Sequence, residues 1–251
     1  LFSKCKLRVL LRSLHAMCLI LFSVDPDDEL HLVVAANRDE QHARPTAKAD
    51  YWSDHPALLA GRDLQAGGTW LGVTTDGRFA AVTNFAEAPP EPIPPKSRGD
   101  LTSNFLTSNI ACDEYLTSIH KRAHEYRGFN LIVSDGKQVF YYSNRDKRIR
   151  RLTKGHYGLS NQLLDCNWPK VNSARADLQA TREKNYPIED LFRVLGDRGT
   201  EEAHSARFIL GPTYGTCAST VVKLHSKGFH FEERCYAPNG EQASGNAFVS
   251  D

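Results

Sequence analysis

Met17-Cys18-Leu19-Ile20-Leu21-Phe22-Ser23-Val24, the turn Asp25-Pro26-Asp27-Asp28, and His31-Leu32-Val33-Val34-Ala35-Ala36 running into Asn37-Arg38-Asp39-Glu40 form the stretch that decides the fold. Two continuous apolar runs around an Asp/Pro turn read as an antiparallel hairpin buried on both faces. The second run ends abruptly in four polar side chains. At a buried strand end these need a mutual network or a cleft to line. In an antiparallel pair the last residues of one strand lie beside the first of the other. Arg38 and Asp39 are therefore expected next to Cys18. A cation there lowers a thiol pKa, and a carboxylate can hold an ammonium. A strand-terminal salt-bridge cluster is the competing reading.

Cys18 directly follows Met17, the only methionine. Trimming of a methionine ahead of a small residue leaves a cysteine with both a thiol and a free α-amine. An α-amine with a pKa near ~7.7–8 can accept the thiol proton. One residue then supplies nucleophile and base. The alternative is a core cysteine opening an apolar strand. Residues 1–16 carry Lys4, Lys6, Arg8 and Arg12 and no acid; without those four, 27 basic residues face 30 acidic ones. They are expected to be an upstream extension, with a signal peptide or organellar presequence as alternatives, and residues 17–251 a single domain.

Beyond the opening hairpin, Ala60–Thr69 reads as a Gly-rich loop. Trp70–Thr74 and Arg78–Thr83 form a second hairpin around Asp76-Gly77. Ala88–Pro95 holds five prolines and reads as a stiff connection. Helical spacing follows at Leu101, Phe105 and Leu106, at Tyr115–Ala123 with Gly128 as its stop, at Val171–Ala180 and at Ile188–Leu195. Phe129–Ser134 with Gln138–Ser143, and Thr220–His225 with Phe229–Cys235, are further strand pairs. The order implies an α+β fold, helices packed on mainly antiparallel sheet.

The whole chain has 251 residues, 31 Lys+Arg against 30 Asp+Glu, and 41% hydrophobic residues. A near-neutral balance argues against a nucleic-acid binder, and no apolar run approaches the ~18–20 residues of a membrane-spanning helix. The 6 cysteines are scattered without C-x-x-C spacing, so no metal site is expected and reduced cytoplasmic thiols are. His120 and His124 lie four apart, but Lys-Arg-Ala between them makes a solvated face the simpler reading. Arg148, Arg150 and Arg151 read as surface. Asn84 and Asn161 end apolar stretches; each amide can donate to an oxyanion or make a turn.

Met17-Cys18-Leu-Ile-Leu-Phe, Asn37-Arg38-Asp39-Glu40, Arg44-Pro45, Gly67-Gly68-Thr69-Trp70-Leu71-Gly72, Thr83-Asn84-Phe85, Ser97-Arg98-Gly99, Gly128-Phe129-Asn130-Leu131, Gly158-Leu159-Ser160-Asn161 and Trp168-Pro169-Lys170-Val171 occur in this order. The set resembles the NRDE family, also called the transport and Golgi organisation protein 2 family, from Met17 to near the C-terminus. The resemblance implies the four-layer αββα sandwich of N-terminal nucleophile hydrolases, related to bile-salt hydrolases, penicillin V acylases and acid ceramidases. It implies Cys18 as nucleophile, Asp39 holding the α-amine, Arg38 beside the thiol, and Asn84 and Asn161 as oxyanion donors. Asn37, Trp70, Arg98 and Arg234 are the expected substrate contacts. The family's Gly-Thr-Arg-x-Ser-Thr stretch reads Gly215-Thr216-Cys217-Ala218-Ser219-Thr220 here; Cys217 replaces the arginine, and Arg234 is a candidate to compensate. Two functions are open: hydrolysis of an acyl amide or related acyl bond without a cofactor, or a noncatalytic carrier of haem or acyl lipid. Either is expected in the cytoplasm.

Overall fold

The computed structural model describes residues 18–25, 28–87 and 96–250. The expected extension 1–16 and proline-rich connection Ala88–Pro95 lie outside them. In chain order come β1 (Leu19–Val24), β2 (Leu30–Gln41), β3 (Thr46–Trp52), β4 (His55–Asp63), β5 (Leu71–Thr74) and β6 (Phe79–Asn84), then helices α1 (Gly99–Leu106) and α2 (Cys112–Lys121). Strands β7 (Phe129–Ser134), β8 (Val139–Ser143), β9 (Ile149–Leu152) and β10 (Gly155–Leu159) follow, then α3 (Pro169–Thr181), α4 (Ile188–Leu195) and strands β11 (Tyr214–His225), β12 (Phe229–Tyr236) and β13 (Gln242–Ser250).

The strands form two sheets, one ordered β10-β1-β2-β11-β12-β13 and the other β3-β4-β5-β6-β7-β8-β9. Every pairing within them is antiparallel. Side-chain alternation on β1 sets the layering. Ile20 and Phe22 enter the core between the sheets with Val34, Leu59, Val73, Ile132, Val222 and Phe231. Leu19 and Leu21 face the other way, onto Ala174 and Leu178 of α3 and Leu191 and Leu195 of α4. The second sheet repeats the arrangement, with Leu131 and Val133 against Leu101, Phe105, Leu116 and Ile119 of α1 and α2. This is the αββα sandwich, and the opening run is apolar but for Ser23, whose hydroxyl meets the Tyr186 hydroxyl at 2.7 Å, because β1 is covered on both faces.

The opening hairpin forms with β2 longer than its apolar run: the Asn37–Gln41 end continues pairing, opposite β11. One expectation is corrected. Ala60–Thr69 is not all loop, since its first residues close β4, which pairs with β3 and β5. Gly61 hides the strand because Trp70 lies over it; a Cβ there would come within 2.3 Å of the indole. The second helix ends at Lys121, ahead of Gly128, with a 3-10 turn at Ala123–Glu125 between them. Strands β3, β9, β10 and β13 were not legible. Arg148, Arg150 and Arg151 are exposed, and His120 is exposed while reaching the Tyr142 hydroxyl at 3.2 Å.

Candidate active site

Cys18 stands immediately before β1, whose register pairs Leu19 with Asn37 of β2. That register brings the cysteine against the polar end of β2. The backbone N–H of Asp39 donates to the Cys18 sulfur at 3.4 Å. The Cys18 carbonyl accepts from the Ser160 hydroxyl at 2.6 Å. Ser160 belongs to the segment after β10, which is pinned to the second sheet where Thr83 and Asn130 donate to the Ser160 and Gln162 carbonyls at 2.8 and 3.0 Å. The site is thus held from both sheets.

Asp39 is buried. Its Oδ1 accepts from the Thr216 hydroxyl at 2.6 Å, and its carbonyl from the Tyr214 hydroxyl at 2.8 Å. Its Oδ2 is buried without a hydrogen-bond partner among the described residues. Burial raises the Asp39 pKa to about 6, against the opposing pull of Lys170, Thr216 and Arg38. Burial, reinforced by the Asp39 charge, also pushes the Cys18 thiol up to about 11, although the Asp39 N–H, Arg38 and Lys170 oppose it. At neutral pH the sulfur keeps its proton, so a nucleophilic Cys18 needs a base beside it.

A cavity of about 370 Å³ opens over Cys18, walled by Arg38, Asp39, Trp70, Asn84 and Arg98. The Arg38 guanidinium lies 4.2 Å from the Trp70 ring centroid and 3.9 Å from Glu40. Arg98 donates to the Gly128 carbonyl at 3.3 Å, and burial lowers its pKa. Arg44, Arg127 and Lys96 bring further positive charge to the rim. Arg44 is itself tied to Asp63 at 2.7 Å.

The expected residues do not all converge. Asn84 lines the cavity and is exposed, while Asn161 stands behind it, its amide donating to the Asn84 carbonyl at 2.7 Å. Asn37 turns away: it donates to the Leu195 and Arg207 carbonyls at 3.0 and 2.8 Å and accepts from Ser219, clamping β2 to the helix layer. Arg234 also points elsewhere, stacked 3.7 Å over Phe192 and paired with Glu189 and Glu232, so it does not stand in for the arginine expected where Cys217 is found. Lys170 was not foreseen as a site residue. It is 1% exposed in the first turn of α3, with Asp39 and Cys18 as its strongest electrostatic partners. The signal was available: a lysine one residue after the helix-opening Pro169 opposes the helix dipole. Tyr214 and Thr216, which hold Asp39, gave no such signal.

Among the described residues no helix is long and apolar enough to cross a membrane. Nor is any group of three or more His, Cys, Asp or Glu among them placed to hold a metal ion. Five cysteines, Cys18, Cys112, Cys166, Cys217 and Cys235, are free thiols.

The two-sheet sandwich with a cysteine at the head of β1 is the N-terminal nucleophile hydrolase fold. Among solved structures, a mutant of conjugated bile acid hydrolase from Clostridium perfringens superposes with a TM-score of 0.50 and 11% identity, over 92% of each chain. At that identity the likeness concerns the fold. The family model for Transport and Golgi organisation 2 matches residues 17–238. The mouse Transport and Golgi organization 2 homolog is 34% identical over 249 residues, 84% of this chain and 90% of the relative. The human homolog is 33% identical over 251 residues, with the same coverage. The chain belongs to the Transport and Golgi organisation 2 family.

Proposed function

We propose that Cys18, as the first residue of the chain, is the nucleophile of a hydrolase acting on a C–N amide or related acyl bond. The carrying observation is the buried Asp39 Oδ2, which has no hydrogen-bond partner among the described residues and lies beside the cysteine, where a cysteinyl ammonium supplies a donor. The α-amine takes the thiol proton as sulfur attacks the acyl carbon. Asn84, and the second N–H of the Asn161 amide, are the candidate donors to the oxyanion. Collapse of the adduct breaks the C–N bond and the ammonium protonates the departing nitrogen. Water, deprotonated by the same amine, then releases the acid from the thioester. Arg38 and Trp70 form the wall against which the acyl group lies, and Arg98 faces the remainder of the substrate. We place this chemistry in the cytoplasm, where the thiol stays reduced.

Residues 1–17 in peptide linkage lock the amine, so the test uses protein beginning at Cys18. Such protein is expected to hydrolyse members of an acyl-amide panel. Cys18→Ala loses at least about a thousandfold in kcat, and protein retaining residues 1–17 is inactive. Equal turnover by Cys18→Ala overturns the proposal. So does a Cys18-start protein that hydrolyses nothing yet gives a saturable Soret change on haem titration, which favours the noncatalytic carrier.

A further inference from the structure

Arg38, Arg44 and Trp70 also border a second cavity, of about 300 Å³, whose wall carries Cys217, His42, Glu233, Lys48 and Cys235. Cys217 sits in the bulge of β11 where the register with β2 slips between Thr216 and Ala218. A bulge re-aims a side chain that regular pairing would fix. Here it brings the Cys217 sulfur to 3.6 Å from His42 Nδ1. The other ring nitrogen, Nε2, lies 3.0 Å from the Gly211 carbonyl. A carbonyl only accepts, so Nε2 carries the proton and the Nδ1 lone pair faces the thiol. Nucleophile, base and a group orienting the base are therefore within reach of one another. The sulfur also has the Glu40 and Gly215 carbonyls at 3.6 and 3.5 Å, acceptors for a resting thiol.

A second observation points to a ligand. Glu233 is 2% exposed; its Oε1 accepts from the Ala49 N–H at 2.7 Å, while its Oε2 is buried with no hydrogen-bond partner among the described residues. Burial raises the Glu233 pKa, and the Cys235 thiol donates to its Oε1 at 3.6 Å, so it is Oε2 that an incoming ammonium or amide N–H on this cavity wall would supply with a donor. Lys48 on the same wall fits a carboxylate.

We propose that Cys217 and His42 form a second thiol site, separate from Cys18, which undergoes exchange with a small peptide disulfide seated by Glu233 and Lys48. His42 Nδ1 takes the Cys217 proton as the sulfur attacks one sulfur of the disulfide. The S–S bond breaks, a mixed disulfide forms on Cys217, and the leaving thiolate takes the proton from the imidazolium.

The test uses the full chain carrying Cys5→Ala and Cys18→Ala, so that it stands apart from the hydrolase proposal and leaves Cys217 with Cys112, Cys166 and Cys235 as the only thiols. Incubation with glutathione disulfide, followed by intact mass and peptide mapping, is expected to give one adduct, on Cys217. His42→Ala slows its formation about a hundredfold, the low end for a positioned base, with an unchanged circular dichroism spectrum. Hydroxyethyl disulfide, which lacks both the ammonium and the carboxylates, reacts at Cys217 about tenfold more slowly; this comparison needs no substitution at the site. Adducts spread evenly over Cys112, Cys166 and Cys235, equal rates for the two disulfides, or undiminished labelling in His42→Ala overturn the proposal.

Discussion

Cys18 is a thiol whose surroundings keep it protonated, which sets what its reactivity reveals. With its pKa near 11 rather than 9.0, the amide-linked residue carries about a hundredfold less thiolate at pH 7 than an unperturbed cysteine. In protein retaining residues 1–17, iodoacetamide labelling of Cys18 is expected to be slow at neutral pH. It should climb steadily as pH rises toward 11. A plateau reached by pH 8 contradicts the burial argument. Beside the thiol, Lys170 and Asp39 are a buried, opposite pair whose charges offset each other. Removing either partner alone strands a charge, so Lys170→Met should cost about 3 kcal/mol in chemical denaturation. The double variant Asp39→Asn, Lys170→Met should recover most of that loss; simple additivity counts against the coupling. Of these residues, Cys18, Arg38 and Asp39 were legible because adjacency in an antiparallel register can be read from a hairpin. Lys170 was marked by its unfavourable place in the first turn of α3, but its partner was not legible, because α3 packs onto β1 from far along the chain.

At the scale of elements, β4 is the strand that composition concealed, and it bears on the site through Trp70. Gly61 leaves room for the Trp70 indole, and that indole carries the Arg38 guanidinium. Gly61→Ala pushes Trp70 off the strand and Arg38 with it. The expected cost is about 1–3 kcal/mol of stability, and in an active Cys18-start protein a raised KM without any change to Cys18. Unaltered tryptophan fluorescence and KM would show that the indole accommodates the methyl group. The edge strands β3 and β13 went unread for a related reason. Most of their residues are exposed or half-exposed and lack an apolar alternation, with only Ala49 and Trp52 of β3 buried, so strand pairing contributes most of what makes them strands. The helices were clearer, with Ile188–Leu195 expected over the residues it occupies, because one apolar stripe buries against the sheet.

At the scale of the whole molecule, both sheets share one core, so they are expected to melt together. Phe22, wholly buried between them and stacked 5.2 Å from Tyr157, tests this. Phe22→Ala should lower stability by about 3–5 kcal/mol while leaving a single transition by circular dichroism and fluorescence; two separated transitions contradict a shared core. The sequence by itself determined the hairpin, the layered α+β class and the meeting of Cys18 with Arg38 and Asp39. Each is written in local periodicity and in the register that a short turn imposes. Tertiary structure alone decided that Asn37 serves as a clamp, that Arg234 is committed to Glu189 and Phe192, that Lys170 reaches Asp39, and that Cys217 meets His42. Those outcomes depend on which distant strands pair and where a bulge shifts their alternation, and no local pattern in the chain encodes a side chain's partner on an element remote in sequence.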